Sequence, residues 1–553
     1  MTQYTLTITF LDVIDMIVAP GVHQKGNHSV TMDFRRNLRA TAAMVVGMSA
    51  VLLTSCSNSG ADSAHAEVDR SAVLRMASNY GVVSFDPHLT PAPATDVGFQ
   101  RNVYETLVVQ AAGDDGQAEL KPRLATEWKV SDDALTIDFS LREGVKFQDG
   151  TEFDAQAVKL NFDRARSPES TVSSYLETLD YVEVVDPSHL RLHLVERTPD
   201  LLWTLAAHVV GNIASPSAFD NDLATRPVGT GPFTLTTFAS NEFKFSRWDG
   251  YWNVEDVQLA GIDYAVVPDD NARLSGMRSG QFDAAAFTSP ADVQAKRLVD
   301  SDGFQWQDAL NVGPIGLYLN QTKAPFDNPD VRRAISLGID RVAIAESLFN
   351  GSAVPSGQMF SPVNSIGWDP DVDVAEGYDP AKARELIETA GAIGTSLTVA
   401  VPQVAVTTTL GQAIQDQLGK IGVDVRLIPF SATEAPAAYR KGDAMAVIQS
   451  ASLGVDPVSG VSVALLGDRN LGEPSPDLLE LAEQAESYPV ESEERAAAYV
   501  ALSGFVAENP ENFVPIMIQR NGLLLSPKVL LDRLHLFSEN TSKIDWVGVG
   551  IRR

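Results

Sequence analysis

The sequence predicts a large α/β protein, and three observations predict it. Strand-like and helix-like stretches alternate from Val73 onward, no repeat interrupts them, and no long low-complexity run splits them. Hydrophobic residues make up 44% of the 553 and aromatics 8%, a globular composition with ample core. A chain of this size is expected to hold roughly two to four domain-sized units. The strand pattern is clearest where Leu135, Ile137, Phe139 and Leu141 interleave with Thr136, Asp138 and Ser140, the period-two signature of a half-buried strand. A helix is predicted next, capped by Asp154, with Val158 and Phe162 on one face and Pro168 beyond its end. Farther on, Asn328-Pro329 opens a helix through Val331, Ala334, Ile335 and Leu337. Asp379, Pro380 and Gly391 bracket another, whose apolar face is Ala383, Leu386, Ile387 and Ala390. Ser492 to Glu508 is a third, stopped by Pro510.

The single cysteine, Cys56, closes the run Leu53-Thr54-Ser55-Cys56 and resembles the modified residue of a bacterial lipobox. Upstream lie Arg35, Arg36 and Arg39, then an apolar stretch from Ala40 to Leu53, the charged and hydrophobic regions of an export signal. That stretch is about 14 residues long against the ~20 a spanning helix needs. The expectation is an export signal at 32–55, lipidation at Cys56 and a lipid-anchored protein outside the cytoplasm or in a periplasm. Residues 1–31 then read as an upstream extension, because Met32 stands directly before the basic cluster. Residues 56–69, rich in Ser, Ala and Asp, read as a flexible tether.

Acidic residues number 72 against 42 basic ones, a formal net charge of -30, which repels polyanions and excludes nucleic acid as a partner. One cysteine leaves no intrachain disulfide, so the fold must rest on core burial.

The order of local motifs carries a family resemblance. It runs through SFDPH at Ser84 to His88, NVYETLV at Asn102 to Val108, and the long block from Leu124 to Arg164 that contains Asp149-Gly150. It continues through PVGTGPF at Pro227 to Phe233, the block from Tyr318 to Arg341, Tyr378 to Gly391, and IGVDV at Ile421 to Val425. Over nearly the whole mature chain this resembles the family 5 extracellular solute-binding proteins, the peptide- and nickel-type receptors of ABC importers. The resemblance implies a two-lobed, periplasmic-binding-protein-like fold of type II, cluster C style, with an interlobe cleft and a hinge. It places the first lobe at 70–315 and 515–553, with an extra subdomain at about 100–225, and the second lobe at 316–514. Gly313-Pro314 with Gly316 marks one crossing, and the return is expected near Pro510 to Pro515.

By the same resemblance the cleft is lined by Asn79, Tyr80, Tyr104, Phe287 and Thr288 from the first lobe. Met359, Ser450, Ser452 and Asp456 are the corresponding choices from the second. The implied partners are a small-molecule or peptide-like ligand and the permease and ATPase of an importer, with the membrane reached through the lipid anchor. A monomer without metal or cofactor is implied. One departure bears on the ligand: Asp456-Pro457 matches the family's segment, but Leu453 stands where peptide-binding relatives carry an aspartate for the ligand's ammonium. A buried ammonium without a counter-charge is costly, so the expected ligand is a neutral or cationic solute, or a peptide-like compound held by its backbone.

Other chemistry is weaker. His189 and His193 alternate with Leu190, Leu192 and Leu194, which makes the segment a strand and puts residues four apart about 13 Å from each other, too far to share one ion. The Gly229-Thr230-Gly231-Pro232 turn lacks the spacing of a phosphate cradle. Gly460 to Ala464, around Ser462, approaches a nucleophile elbow but lacks its last glycine, with His535 the only histidine after it. A secreted hydrolase and a binding-only sensory receptor are therefore the alternatives. Trp128, Trp248, Trp252 and Trp368 are expected to pack in cores or between lobes, and Glu105 reads as a surface charge.

Overall fold

Strand Val73–Ser78 sends Leu74, Met76 and Ala77 into the interior and occupies the centre of a seven-stranded sheet. It runs parallel to Gly261–Val266 on one side and to Ala284–Thr288 on the other. Beyond the first neighbour lie the antiparallel strands Glu242–Arg247 and Phe233–Ala239; beyond the second lie Arg520–Leu525 and Gln305–Leu310. The two strands that flank Val73–Ser78 are joined across it by a crossover that contains helix Asp270–Arg278.

The computed structural model describes residues 68–553 except 113–117, 364–365, 373, 375–376, 433, 452–455, 468, 490–491, 531–534 and 537–543. Met32, Cys56, Ser452 and Leu453 lie outside the described residues. By internal contacts the chain divides into two units, Met1–His65 and Ala66–Arg553, and every sheet described belongs to the second.

A second sheet of six strands follows the same plan. Ser396–Pro402 runs parallel to Asp424–Phe430 and Ala446–Ser450, with helices Ala405–Lys420 and Glu434–Lys441 as crossovers. Antiparallel Ile315–Leu319, Phe513–Ile518 and the short Val354–Pro355 complete it. A four-stranded antiparallel sheet, Ala125–Val130, Thr136–Leu141, His189–Leu194 and Leu179–Asp186, packs one face on helix Ala155–Ala165. Each sheet has its own apolar cluster.

The predicted helix starts form by the expected chemistry, each cap side chain accepting an otherwise unpaired N–H. Asp154 accepts from Ala157 at 2.8 Å, Asn328 from Asp330 at 2.9 Å, Asp379 from Lys382 at 2.9 Å and Ser492 from Arg495 at 3.1 Å. In Thr136–Leu141, Ile137, Phe139 and Leu141 are buried and the residues between them only partly so. His189–Leu194 is a strand, on which the Asp186 carboxylate pairs with His189 at 2.9 Å and the His193 ring stacks on Tyr181 at 4.2 Å.

Candidate ligand-binding site

The two large sheets are joined by two short crossings, 311–314 and Gln519. The strand expected to return to the first lobe at 515 stays in the second sheet through Ile518, because Met517 and Ile518 pair with Pro355 and Val354. Register shows which ends meet there. In the first sheet, Leu310 pairs with Arg520 and Thr288 with Asn521, so the carboxyl ends of the parallel strands share an edge with both crossings. In the second, Ile315 pairs with Ser450 and with Met517, which puts the carboxyl ends of Ala446–Ser450 and its parallel neighbours at that edge too. Open α/β sheets bind ligands outside these carboxyl ends. Asn79 and Tyr80, Thr288 and Ser450 all lie at the edge that adjoins the crossings.

Their surroundings differ. Asn79 Oδ1 is buried and has no hydrogen-bond partner among the described residues. Tyr80 is half-buried and meets Phe99 edge-on, ring centroids 6.0 Å apart. Thr288 is half-buried. The Ser450 carbonyl accepts from Arg469 Nη1 at 3.1 Å and that of Ala451 from the same nitrogen at 2.8 Å, while the Arg469 guanidinium lies 5.9 Å from the Tyr318 ring. Arg469 was not singled out from the sequence; it lies in an isolated stretch with no pattern around it.

Three candidates expected at the cleft are enclosed in cores instead. Tyr104 packs against the Gly229 turn, where a β-carbon on Gly229 would fall 2.2 Å from the Val103 carbonyl oxygen, and it lines a cavity with Arg101, Glu105, Arg123 and Trp546. Phe287 alternates inward from Thr288 and lies beneath Arg273 at 5.1 Å. Met359 belongs to the cluster that includes Tyr318 and Phe360. Asp456 is 2% exposed and Arg495 1%; the guanidinium donates to both carboxylate oxygens, at 2.8 and 3.0 Å. Asp456 also caps Pro457–Gly460 through the Val458 N–H. Its carboxylate is thus engaged by the protein itself.

Electrostatics link the layer of the four-stranded sheet to this pair. Burial, reinforced by the Asp456 charge and only partly offset by Arg495, pushes the Asp200 carboxyl up to about 6. Glu486 is raised as well, first by burial and then by Asp456 and Glu196. Among the described residues no cluster of three or more His, Cys, Asp or Glu side chains is arranged to hold a metal ion.

The motif blocks mostly build the frame around the edge. Arg332 donates to the Pro510 carbonyl at 3.0 Å and Arg341 to that of Pro515 at 2.8 Å, so the Tyr318 to Arg341 block holds the returning strand. Burial pushes Arg341 down to about 10. Asp86 receives both Arg164 nitrogens at 2.6 and 2.8 Å, which ties SFDPH to the end of the long block. Glu105, expected on the surface, is 4% exposed. Its oxygens accept from Arg123 at 2.7 Å, Tyr251 at 2.8 Å, Trp252 at 2.9 Å and Thr230 at 3.0 Å, donors that keep a buried carboxylate satisfied.

Comparison with known proteins agrees with this architecture. The family described as bacterial extracellular solute-binding proteins, family 5 Middle, matches residues 119–473. Glutathione-binding protein GsiB of Salmonella paratyphi A is 32% identical over 374 residues, 66% of this chain and 70% of its own length. Among solved structures, the periplasmic binding protein DppA from Helicobacter pylori, in complex with peptide STSA, matches with TM-score 0.74 and 22% identity over 87% of this chain and 98% of its own. NikA from Brucella suis, in complex with Fe(III)-EDTA, gives TM-score 0.74 and 23% identity over 87% of this chain and 100% of its own. These two share the cluster C binding-protein fold. The chain belongs to family 5 of the bacterial extracellular solute-binding proteins, the solute-capturing components of ABC importers, which are binding proteins and not enzymes.

Proposed function

We propose that the protein closes two lobes on a peptide-like or other small organic solute and presents it to the permease of an importer. The observation that carries this reading is the register: both sheets turn their carboxyl edges toward the same pair of crossings. Each layer keeps its own core, so a rotation about 311–314 and Gln519 changes the distance between the edges without unpacking either. The lobes are residues 70–315 with the chain after Gln519, and 316–518; the four-stranded sheet belongs to the first.

Lipidation at Cys56 holds the protein at the membrane. The described residues begin at Val68, which bridges to Arg552, and the Asp69 N–H donates to Ile551 at 2.8 Å. The relatives' named ligands, glutathione, a peptide and a chelated metal, are chemically diverse, and this chain's own sequence narrows the choice. Leu453 in place of an ammonium partner, together with Asp456 engaged by Arg495, favours a solute not selected through a free α-ammonium.

A thermal-shift screen tests the ligand class, because a solute at a hundredfold excess over its Kd stabilises the native state by about 2.7 kcal/mol. N-acetylated peptides or neutral and cationic organic solutes are expected to raise the melting temperature. Shifts from free di- to pentapeptides that vanish on N-acetylation would show the reading to be wrong.

A further inference from the structure

Beside the crossings the two lobes meet through small polar groups. Ser289, next to the carboxyl end of Ala284–Thr288, donates its hydroxyl to the Ser352 carbonyl at 3.1 Å. Ser352 lies just before the edge strand Val354–Pro355, so this hydrogen bond joins one lobe to the other. Two atoms at the contact have no hydrogen-bond partner among the described residues, Asp292 Oδ1 and Ser352 Oγ, although both residues are buried. Burial pushes the Asp292 carboxyl up, and Lys296 and the nearby Ser352 hydroxyl pull it back. The Ser289–Ser352 hydrogen bond brings the two groups into one contact, where the Ser352 hydroxyl interacts with the Asp292 carboxyl without reaching a full hydrogen bond. A buried donor and a buried acceptor left unpaired each carry a desolvation penalty that joining them would remove.

The contact is also wired to the hinge. The other Asp292 oxygen pairs with Lys296 at 3.1 Å, Lys296 reaches Asp308 at 3.5 Å, and Arg520 approaches the same Asp308 oxygen at 3.5 Å. Asp308 lies on the strand that feeds the first crossing, and Arg520 begins the strand that leaves the second. A change in hinge angle therefore moves the anchor of Lys296 and, through it, Asp292.

We propose that Ser352 and Asp292 form a closure latch: as the lobes complete their approach, the Ser352 hydroxyl donates to Asp292 Oδ1, and Lys296, Asp308 and Arg520 couple that bond to the hinge. The inference rests on the two-lobe reading. Both residues act as positioning residues for solute retention, holding the lobes together without needing to touch the solute.

Amide hydrogen exchange on the full-length, detergent-solubilised protein tests it. Ser352→Ala should speed exchange in the opposite lobe, at residues 289–296, by about threefold or more, as expected when a local opening becomes easier. Ser352→Thr, which keeps the hydroxyl, should restore the original rate. Adding Asp292→Asn to Ser352→Ala should bring little further change at 349–355, the segment on the Ser352 side, because one bond cannot be lost twice. Changes confined to 349–355 in Ser352→Ala, or additive effects in the double variant, would overturn the latch, and the Ser352 variants decide even if Asp292→Asn does not fold. Solution scattering of the same protein before and after stripping of co-purified small molecules separates the two levels. An unresponsive profile refutes the hinge, whereas a responsive profile without any exchange response across the lobes refutes the latch alone.

Discussion

Replacing Arg495 by methionine removes one partner of an ion pair whose members are 1% and 2% exposed and leaves the Asp456 carboxylate buried without its counter-charge. Breaking a buried pair in this way costs about 3–5 kcal/mol, where loss of an exposed pair costs about 1 kcal/mol or less. Asp456 keeps its bond from the Val458 N–H at 3.0 Å, which cannot replace a bidentate guanidinium. With each kcal/mol shifting the midpoint by about 2–4 °C for a cooperative unit of this size, the second lobe should melt about 6–20 °C lower. Scanning calorimetry reads this directly. The double variant Asp456→Asn with Arg495→Met should recover part of the loss, because no net charge then remains buried. A loss under about 1 kcal/mol for Arg495→Met, or a double variant no better than the single one, would refute the view that Asp456 serves the fold.

Glu105→Gln gives the network of Arg123, Tyr251, Trp252 and Thr230 an amide that cannot accept from all four donors, and should cost about 2–4 kcal/mol in urea unfolding. Asp200 supplies a pH dependence. Its carboxyl is raised to about 6 from an ordinary 3.8, so the folded protein holds its proton more tightly than the unfolded chain. The penalty is absent below pH ~3.8, grows as pH rises toward about 6 and is constant above. Asp200→Asn should remove that slope and stabilise the protein at neutral pH, with melting followed from pH 4 to 7.5; an unchanged slope would contradict the assignment. Cys56→Ser should move the protein from the membrane to the soluble fraction, and a protein that stays with the membrane would exclude lipidation there as its anchor.

Local chemistry was the legible part. The caps Asp154, Asn328, Asp379 and Ser492 depend on residues within one helical turn, and the strand at Thr136–Leu141 on a two-residue period, so both could be read directly. The partners of buried charges were not legible, because they lie far away in the chain. Glu105 looks like any surface glutamate until Tyr251 and Trp252, about 146 residues on, fold over it. Asp456 matched a ligand-contact segment, yet its partner Arg495 sits in a helix 39 residues away that has no reason of its own to place arginine inward. The loops proposed for the cleft were legible only through the family resemblance, which put Thr288 and Ser450 at strand ends that adjoin the crossings. Which side chain at each strand end faces outward was not: Thr288 lies at the edge while its neighbour Phe287 packs inward.

Closure of two lobes on a solute is the claim on which the functional account stands. Small-angle scattering of the protein with and without a solute found by thermal shift measures it most directly. The account predicts a smaller radius of gyration on loading and a return to the larger value on release. Identical profiles from samples shown by calorimetry to be solute-free and solute-saturated would contradict it.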